Sequence, residues 1–183
     1  MRRLDPHEHR VLVLAPKGRD AEVIAGVVGR DGVPVHAVAN CHVLTDEVVA
    51  GAAAAVIAQE AIAGQDISAL ALWLAAQAPW SDFPFVVLLS RRLGKGDAEF
   101  RKTLRALGNV IVLERPLSVE TLGSAVDSAL RARHRQYLAR EVLAERLASS
   151  EALAALNLTL ESRVSDPCLV AGKRPDHRTV DGA

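Results

Sequence analysis

Aromatic residues are scarce in this sequence: three Phe, two Trp and one Tyr make up 3% of 183 residues. A core has to be assembled from Ala, Val and Leu, and a hydrophobic content of 50% is enough for one ordinary domain plus an appendage. Charge of one sign is missing as well. The 22 Lys and Arg balance 22 Asp and Glu, which removes the global pull that binding to nucleic acid or anionic lipid draws on. The two cysteines, Cys41 and Cys168, lie far apart and in no metal-ligand spacing. That excludes a disulfide framework and suits free thiols in a reducing compartment. The first ten residues carry charges with no apolar run behind them, so they do not read as a signal peptide. The Ala-rich run from Gly51 to Ala58 is too short to span a bilayer and is closed by Gln59 and Glu60. The expectation is a cytoplasmic protein with no membrane or nucleic-acid partner. Asn157-Leu158-Thr159 matches a glycosylation pattern, which in that compartment is an accident of composition.

What is present is an alternation of apolar runs and amphipathic segments. Val11 to Ala15 is a continuous apolar run of strand length and predicts a strand buried on both faces. Asp20 to Gly29 has apolar residues at helical spacing, with Asp20 able to cap its start and Gly29 its end. Val33 to Val38 predicts a second strand, whose Pro34 favours an early position or an edge. Cys41 to Ala50 predicts a helix stopped by Gly51. Ala53 to Ala58 predicts a third buried strand despite the weak strand preference of alanine. A helix is expected over Asp66 to Ala78, the clearest strand over Phe85 to Leu89, a helix over Asp97 to Leu107 and a fifth strand over Val110 to Leu113. Strands that alternate with helices imply parallel pairing with helices on both faces of one sheet.

The junction after the fifth strand is the most informative stretch: Val110-Ile-Val-Leu-Glu-Arg-Pro116-Leu-Ser-Val-Glu-Thr-Leu122. Proline fixes its own φ and disfavours the helical region for the residue before it, so Arg115 is extended at the strand end. Ser118 suits an N-cap, and Glu120 suits the positive end of the helix that follows. Strand, basic residue, proline and helix in this order resemble the end of a receiver domain of two-component response regulators, where a lysine precedes a cis-proline. The resemblance covers about residues 10–131 and implies a flavodoxin-like (CheY-like) doubly wound α/β fold, a five-stranded parallel sheet in the order 2-1-3-4-5.

The same resemblance implies a site. A working receiver has an acidic pair after strand one for a divalent cation and an aspartate at the end of strand three that accepts a phosphoryl group. A Thr or Ser follows strand four, and a lysine follows strand five. A hard cation such as Mg²⁺ needs oxygen ligands of this kind. Here the acidic-pair slots hold Ala15 and Pro16, followed by basic Lys17 and Arg19. The acceptor slot falls on Gln59, or on Glu60 with the register shifted by one. The hydroxyl slot holds Leu89, with Ser90 beside it, and the lysine slot holds Arg115 before Pro116. No phosphoacceptor, metal, cofactor or catalytic residue is expected. Two readings of Glu60 stay open: a solvated carboxylate at a strand end, or a carboxylate paired with Arg115, Lys17 or Arg19 as a fixed substitute for a phosphorylated aspartate.

Other motifs are weaker. Gly94-Lys95-Gly96 has no P-loop spacing, and the turn Ala15 to Asp20 lacks G-x-G-x-x-G, which argues against a dinucleotide site. Ser90 has no nucleophile-elbow arrangement. The six histidines are dispersed; His7 and His9 fall in a terminal segment, residues 1–9, expected to be flexible, and His36 and His42 could meet at a metal only through folding.

From Ser118 the helical pattern runs on to Val164 with Gly123 its last glycine and no proline. Leu122, Val126 and Leu130 form a stripe that packs on the sheet. Tyr137, Leu138, Val142, Leu143, Leu147, Leu153, Leu156, Leu160 and Val164 continue as a second stripe, near-heptad at its end and loose around Ser149-Ser150. A stripe with no core of its own calls for a partner helix, and residues 132–164 are expected to form a dimerisation extension, with Leu138, Val142, Leu147, Leu153, Leu156 and Leu160 at a parallel homodimer seam. Arg131, Arg133, His134, Arg135 and Arg140 read as a solvated helix face rather than a nucleic-acid patch. Leu153 to Val164 resembles the signalling helix that precedes the catalytic core of sensor histidine kinases. The pattern breaks at Ser165-Asp-Pro167, and residues 165–183 are expected to be disordered.

The leading expectation is a non-catalytic, receiver-like module of a two-component phosphorelay, acting by protein–protein interaction and dimerisation, with a histidine kinase or another two-component protein as partner. The alternatives are a truncated N-terminal sensory region of a hybrid sensor histidine kinase and a small α/β enzyme of unknown substrate.

Overall fold

A computed structural model describes residues 6–15, 19–90, 93–94 and 97–164. The expected tail at 165–183, Pro16, Lys17, Cys168 and the Lys95-Gly96 pair lie outside the described residues. The chain divides into a compact unit ending at Arg140 and a second unit beginning at Glu141.

In the first unit β1 (Val11–Leu14), β2 (Val35–Val38), β3 (Ala54–Ala58), β4 (Phe85–Leu89) and β5 (Val110–Glu114) form one parallel sheet in the order β2-β1-β3-β4-β5. This is the expected flavodoxin-like order. Every residue of β1, β3 and β4 is buried, as the unbroken apolar runs require of strands covered on both faces. Each Val or Leu of β1 that leaves water on folding contributes about 1.5–3 kcal/mol. Small alanines let helices approach β3 closely, and its pairing to both β1 and β4 overrides their weak strand preference. Pro34 immediately precedes β2, an edge strand, and its carbonyl accepts from the Val11 N–H.

The helices of this unit are α1 (Asp20–Val28), α2 (Cys41–Ala50), the single turn α3 (Gln59–Ile62), α4 (Ser68–Ala75), α5 (Ala98–Leu107) and the start of α6 (Val119–Val164). The turn α3 was not expected; four residues are too few to leave a period in the sequence. The helix expected over Asp66 to Ala78 is shorter at both ends. Asp66 stays outside it, its carboxylate accepting from the Ser68 N–H in the turn that leads into the helix. Beyond Ala75 the Gln77 carboxamide oxygen takes the Ser81 hydroxyl and the Phe83 N–H, which shapes a loop instead of another turn. Asn40 caps α2 through the Val43 N–H, and the Ser118 hydroxyl oxygen caps α6 by accepting from the Thr121 N–H.

Two expectations near the ends of this unit are corrected. The compact unit reaches Arg140, not 131, and Pro6–His9, the described part of the segment 1–9 expected to be flexible, forms a 3-10 turn; residues 1–5 lie outside the described residues. The cause is one cluster at the amino edge of the sheet. Arg140 donates to both Glu8 carboxylate oxygens, at 2.6 and 3.0 Å. Tyr137, only 4% exposed, shares its hydroxyl between the Glu8 and Ala52 carbonyls. Tyr137 is therefore a core residue of this unit and not part of the helical seam. Arg133 is 7% exposed, packed against the rings of Trp80, Phe83 and Tyr137. The solvated-face reading holds for Arg131, His134 and Arg135, which are exposed, and fails for Arg133 and Arg140.

In the second unit the helix continues from Glu141, and its described side chains are solvent-exposed apart from a partly covered Glu141. Val142, Leu147, Leu153, Leu156 and Leu160 are each at least half exposed.

Candidate functional site

Parallel strands bring their carboxyl ends to one edge, and loops leaving that edge carry the sites of open α/β sheets. Here that edge gathers Ala15 after β1, Gln59 and Glu60 after β3, Leu89 and Ser90 at the end of β4, and Arg115 and Pro116 after β5. The Arg115 N–H donates to the Leu89 carbonyl at 2.9 Å, which extends the β4–β5 ladder by one residue and aims the Arg115 side chain across the strand ends. The Arg115–Pro116 peptide bond is cis.

Arg115 is the centre of the cluster. Its Nη2 donates to Glu60 Oε1 and Oε2 at 2.7 and 2.6 Å, and its Nη1 to Asp20 Oδ2 at 3.1 Å. The side chains of Arg115, Glu60 and Asp20 are 25%, 18% and 46% exposed. The guanidinium is thus clamped between a mostly covered carboxylate and a half-exposed one. Of the partners considered for Glu60, Arg115 is the one found. Arg19 instead pairs with Glu22, one turn along at the surface, and Lys17 is not described. Asp20 was expected as a helix cap. The residue at the cap position is Arg19, which makes no side-chain cap bond, and the Asp20 carboxylate serves Arg115. Its place at the end of the β1–α1 loop was the sequence signal for this role.

Beside the clamp, Gln59 is buried and its carboxamide oxygen accepts from both the Ser90 N–H and the Ser90 hydroxyl, each at 3.0 Å. Leu89 is buried in the core, so the hydroxyl that meets the end of β3 comes from Ser90. Ala15 is buried and offers no polar atom on its side chain. A cleft of about 510 Å³ opens next to Arg115 between α1 and the start of α6, walled by Ile24, Pro116 and Leu122, with Asp20 and Ser90 at its polar end.

Elsewhere the chemistry is sparse. Cys41 is buried and free, its thiol donates to the Ala61 carbonyl, and burial raises its pKa. His36 and His42 face different carboxylates, Glu47 and Asp46, each at 3.7 Å. Among the described residues, no three His, Cys, Asp or Glu side chains gather where they could hold a metal ion, and no helix is long and apolar enough to cross a membrane.

No protein-family model and no curated protein matches the chain. Solved structures do. The signal receiver domain of a Luxo repressor protein from Vibrio parahaemolyticus superposes with a TM-score of 0.55 at 13% identity, over 72% of this chain and 97% of that one. Full-length FixJ from B. japonicum gives 0.53 at 21% identity, over 78% and 66%. A fusion carrying the trimeric coiled-coil segment of yeast Spc42, amino acids 181–211, gives 0.56 at 17% identity, over 84% and 97%. At these identities the likeness establishes the receiver fold with a long carboxy-terminal helix.

Proposed function

We propose that this chain is a non-catalytic receiver-like module of two-component signalling. It has given up phosphoryl acceptance and acts by protein–protein contacts and by pairing of α6 with a second copy of itself. The observation that carries the reading is the Glu60–Arg115–Asp20 clamp. A receiver's chemistry needs a divalent cation held by carboxylate oxygens close to the acceptor. At this edge the two carboxylates within reach, Asp20 and Glu60, both face one guanidinium, and Ala15 stands in the first acidic slot with a methyl group. The residues present do not fit Mg²⁺. The acceptor position holds Gln59, whose carbonyl oxygen is committed to Ser90; an amide is a poor nucleophile and cannot form the acyl phosphate a carboxylate would.

On this reading Glu60 acts as a fixed stand-in for a phosphorylated aspartate, tied to the basic residue that would otherwise sense the phosphate. The corner at Arg115–Ser118 launches α6 in one direction, and signal passes through changes in the pairing of the helix. The exposed stripe Leu138, Val142, Leu147, Leu153, Leu156 and Leu160 supports self-association. The likeness of Leu153 to Val164 to a signalling helix supports a histidine kinase or another two-component protein as partner. Acetyl phosphate with Mg²⁺ tests the central claim. The intact mass stays unchanged after incubation; a phosphoryl adduct on any Asp or Glu overturns it.

A further inference from the structure

The cleft beside Arg115, of about 510 Å³, has the size of a small-ligand site, about 300–1,000 Å³. Its floor is apolar and covered, made by Ile24, Leu88 and Leu122. Its rim is apolar and wet. Val23 on α1 and Val119 at the start of α6 line it while 62% and 39% exposed. Apolar side chains left in water around a concavity gain from an apolar body that covers them.

The polar groups of the cleft set the sign of what can enter. Ser90 gives its hydroxyl proton to the Gln59 carboxamide oxygen, so toward the cleft its oxygen can only accept. Asp20 uses Oδ2 on Arg115; its Oδ1 makes no hydrogen bond among the described residues, and its side chain is 46% exposed. The Ser118 hydroxyl is taken up at the cap of α6. Arg115 has little to give an anion. Its Nη1 faces Asp20, its Nη2 faces both oxygens of Glu60, and its Nε is enclosed. An anion here would stand beside the Asp20 carboxylate as a like charge, whereas an ammonium group finds acceptors.

We propose that this cleft binds a small amine, its ammonium group against Asp20 and Ser90 and its apolar body along Val23, Ile24 and Leu122. Such a ligand touches α1 and the first turn of α6 together, next to the corner at Arg115–Ser118. Its use as an input that biases the direction of α6 rests on the signalling reading above; the binding itself does not.

The full chain is titrated at constant ionic strength with tryptamine, tryptophol and indolepropionate, which share one ring system and end in an ammonium, a hydroxyl and a carboxylate. ¹H–¹³C spectra follow the methyl groups of Ile24 and Leu122. Tryptamine shifts both to saturation. Tryptophol binds about tenfold more weakly, the loss of about one charge-assisted hydrogen bond, and indolepropionate more weakly again. Asp20→Asn brings tryptamine down to the level of tryptophol, with the methyl signals of β1 unmoved as the check on the fold. Val23→Ser, at an exposed position, weakens tryptamine and tryptophol alike. Shifts that grow linearly, equal affinity for the three compounds, or undiminished tryptamine binding by Asp20→Asn overturn the proposal. A phosphoryl adduct in the acetyl phosphate experiment removes the signalling reading and leaves these outcomes untouched.

Discussion

Glu60 and Asp20 both pair with Arg115, yet they differ in worth, and a double-mutant cycle separates them. An exposed ion pair contributes about 0.2–1 kcal/mol, whereas removing one partner of a buried pair costs about 3–5 kcal/mol. The Glu60–Arg115 pair, 18% and 25% exposed with both carboxylate oxygens engaged at 2.6–2.7 Å, falls between these limits, at about 2 kcal/mol of coupling. Asp20, 46% exposed with a single contact at 3.1 Å, belongs near the surface value, about 0.5 kcal/mol. Urea unfolding of wild type, Glu60→Ala, Arg115→Ala and the double variant gives the first coupling, and the parallel set with Asp20→Ala gives the second. Repeating both at roughly 0.05 and 0.5 M salt sharpens the contrast, because screening acts on exposed charges far more than on covered ones. The Asp20 coupling vanishes at high salt while most of the Glu60 coupling survives. A Glu60 coupling below about 0.5 kcal/mol, or equal salt sensitivity of the two, refutes the clamp as the element that fixes this corner.

Tyr137 is the sole tyrosine, so its ionisation can be followed directly by ultraviolet absorbance. Burial raises its pKa and outweighs the lowering by the Arg133 charge. The unfolded phenol, ionising near about 10, therefore sheds its proton before the folded one does. Stability is level below that pH with respect to this group and falls as pH rises above it, and Tyr137→Phe abolishes that fall. Phe83 is buried edge-on between Trp73 at 5.8 Å and Phe85 at 5.0 Å; Phe83→Ala costs about 3–5 kcal/mol in urea unfolding, and a loss below about 1 kcal/mol shows that the site collapses around the gap. Leu156→Asp in the full chain turns the species seen by light scattering from dimer to monomer without lowering the melting temperature of the first unit; a monomeric wild type removes the seam.

The sequence exposes those features that local chemistry dictates. The unbroken apolar runs Val11–Leu14 and Phe85–Leu89 read as strands covered on both faces because they are short and alternate with helical segments, and the Arg115-Pro116 corner with Ser118 behind it is legible because proline and a cap act on their nearest neighbours. The Glu60–Arg115 pair was within reach as one of several options, since both residues leave strand ends on the same edge. Asp20 was hidden by a competing local role: an acidic residue at a helix start reads as a cap. The roles of Arg133, Tyr137 and Arg140 were hidden for another reason. Helical periodicity reports which residues share a face, but not that a short turn around Glu8 and the loop Trp80–Phe83 meet that face. α3 was invisible because one turn carries no period at all.

The Glu8–Arg140 pair joins positions 132 residues apart, nearly the full span of the first unit. A ribosome adding roughly 5–20 residues per second needs about 7–26 s to make that stretch. Throughout that interval the turn around Glu8 waits for Arg140 to be made. β1, the strand behind it, pairs on either side with β2 and β3, both of which are made well before α6. The sheet can therefore assemble in the order of its synthesis, while the turn ahead of β1 locks down only once α6 has been made.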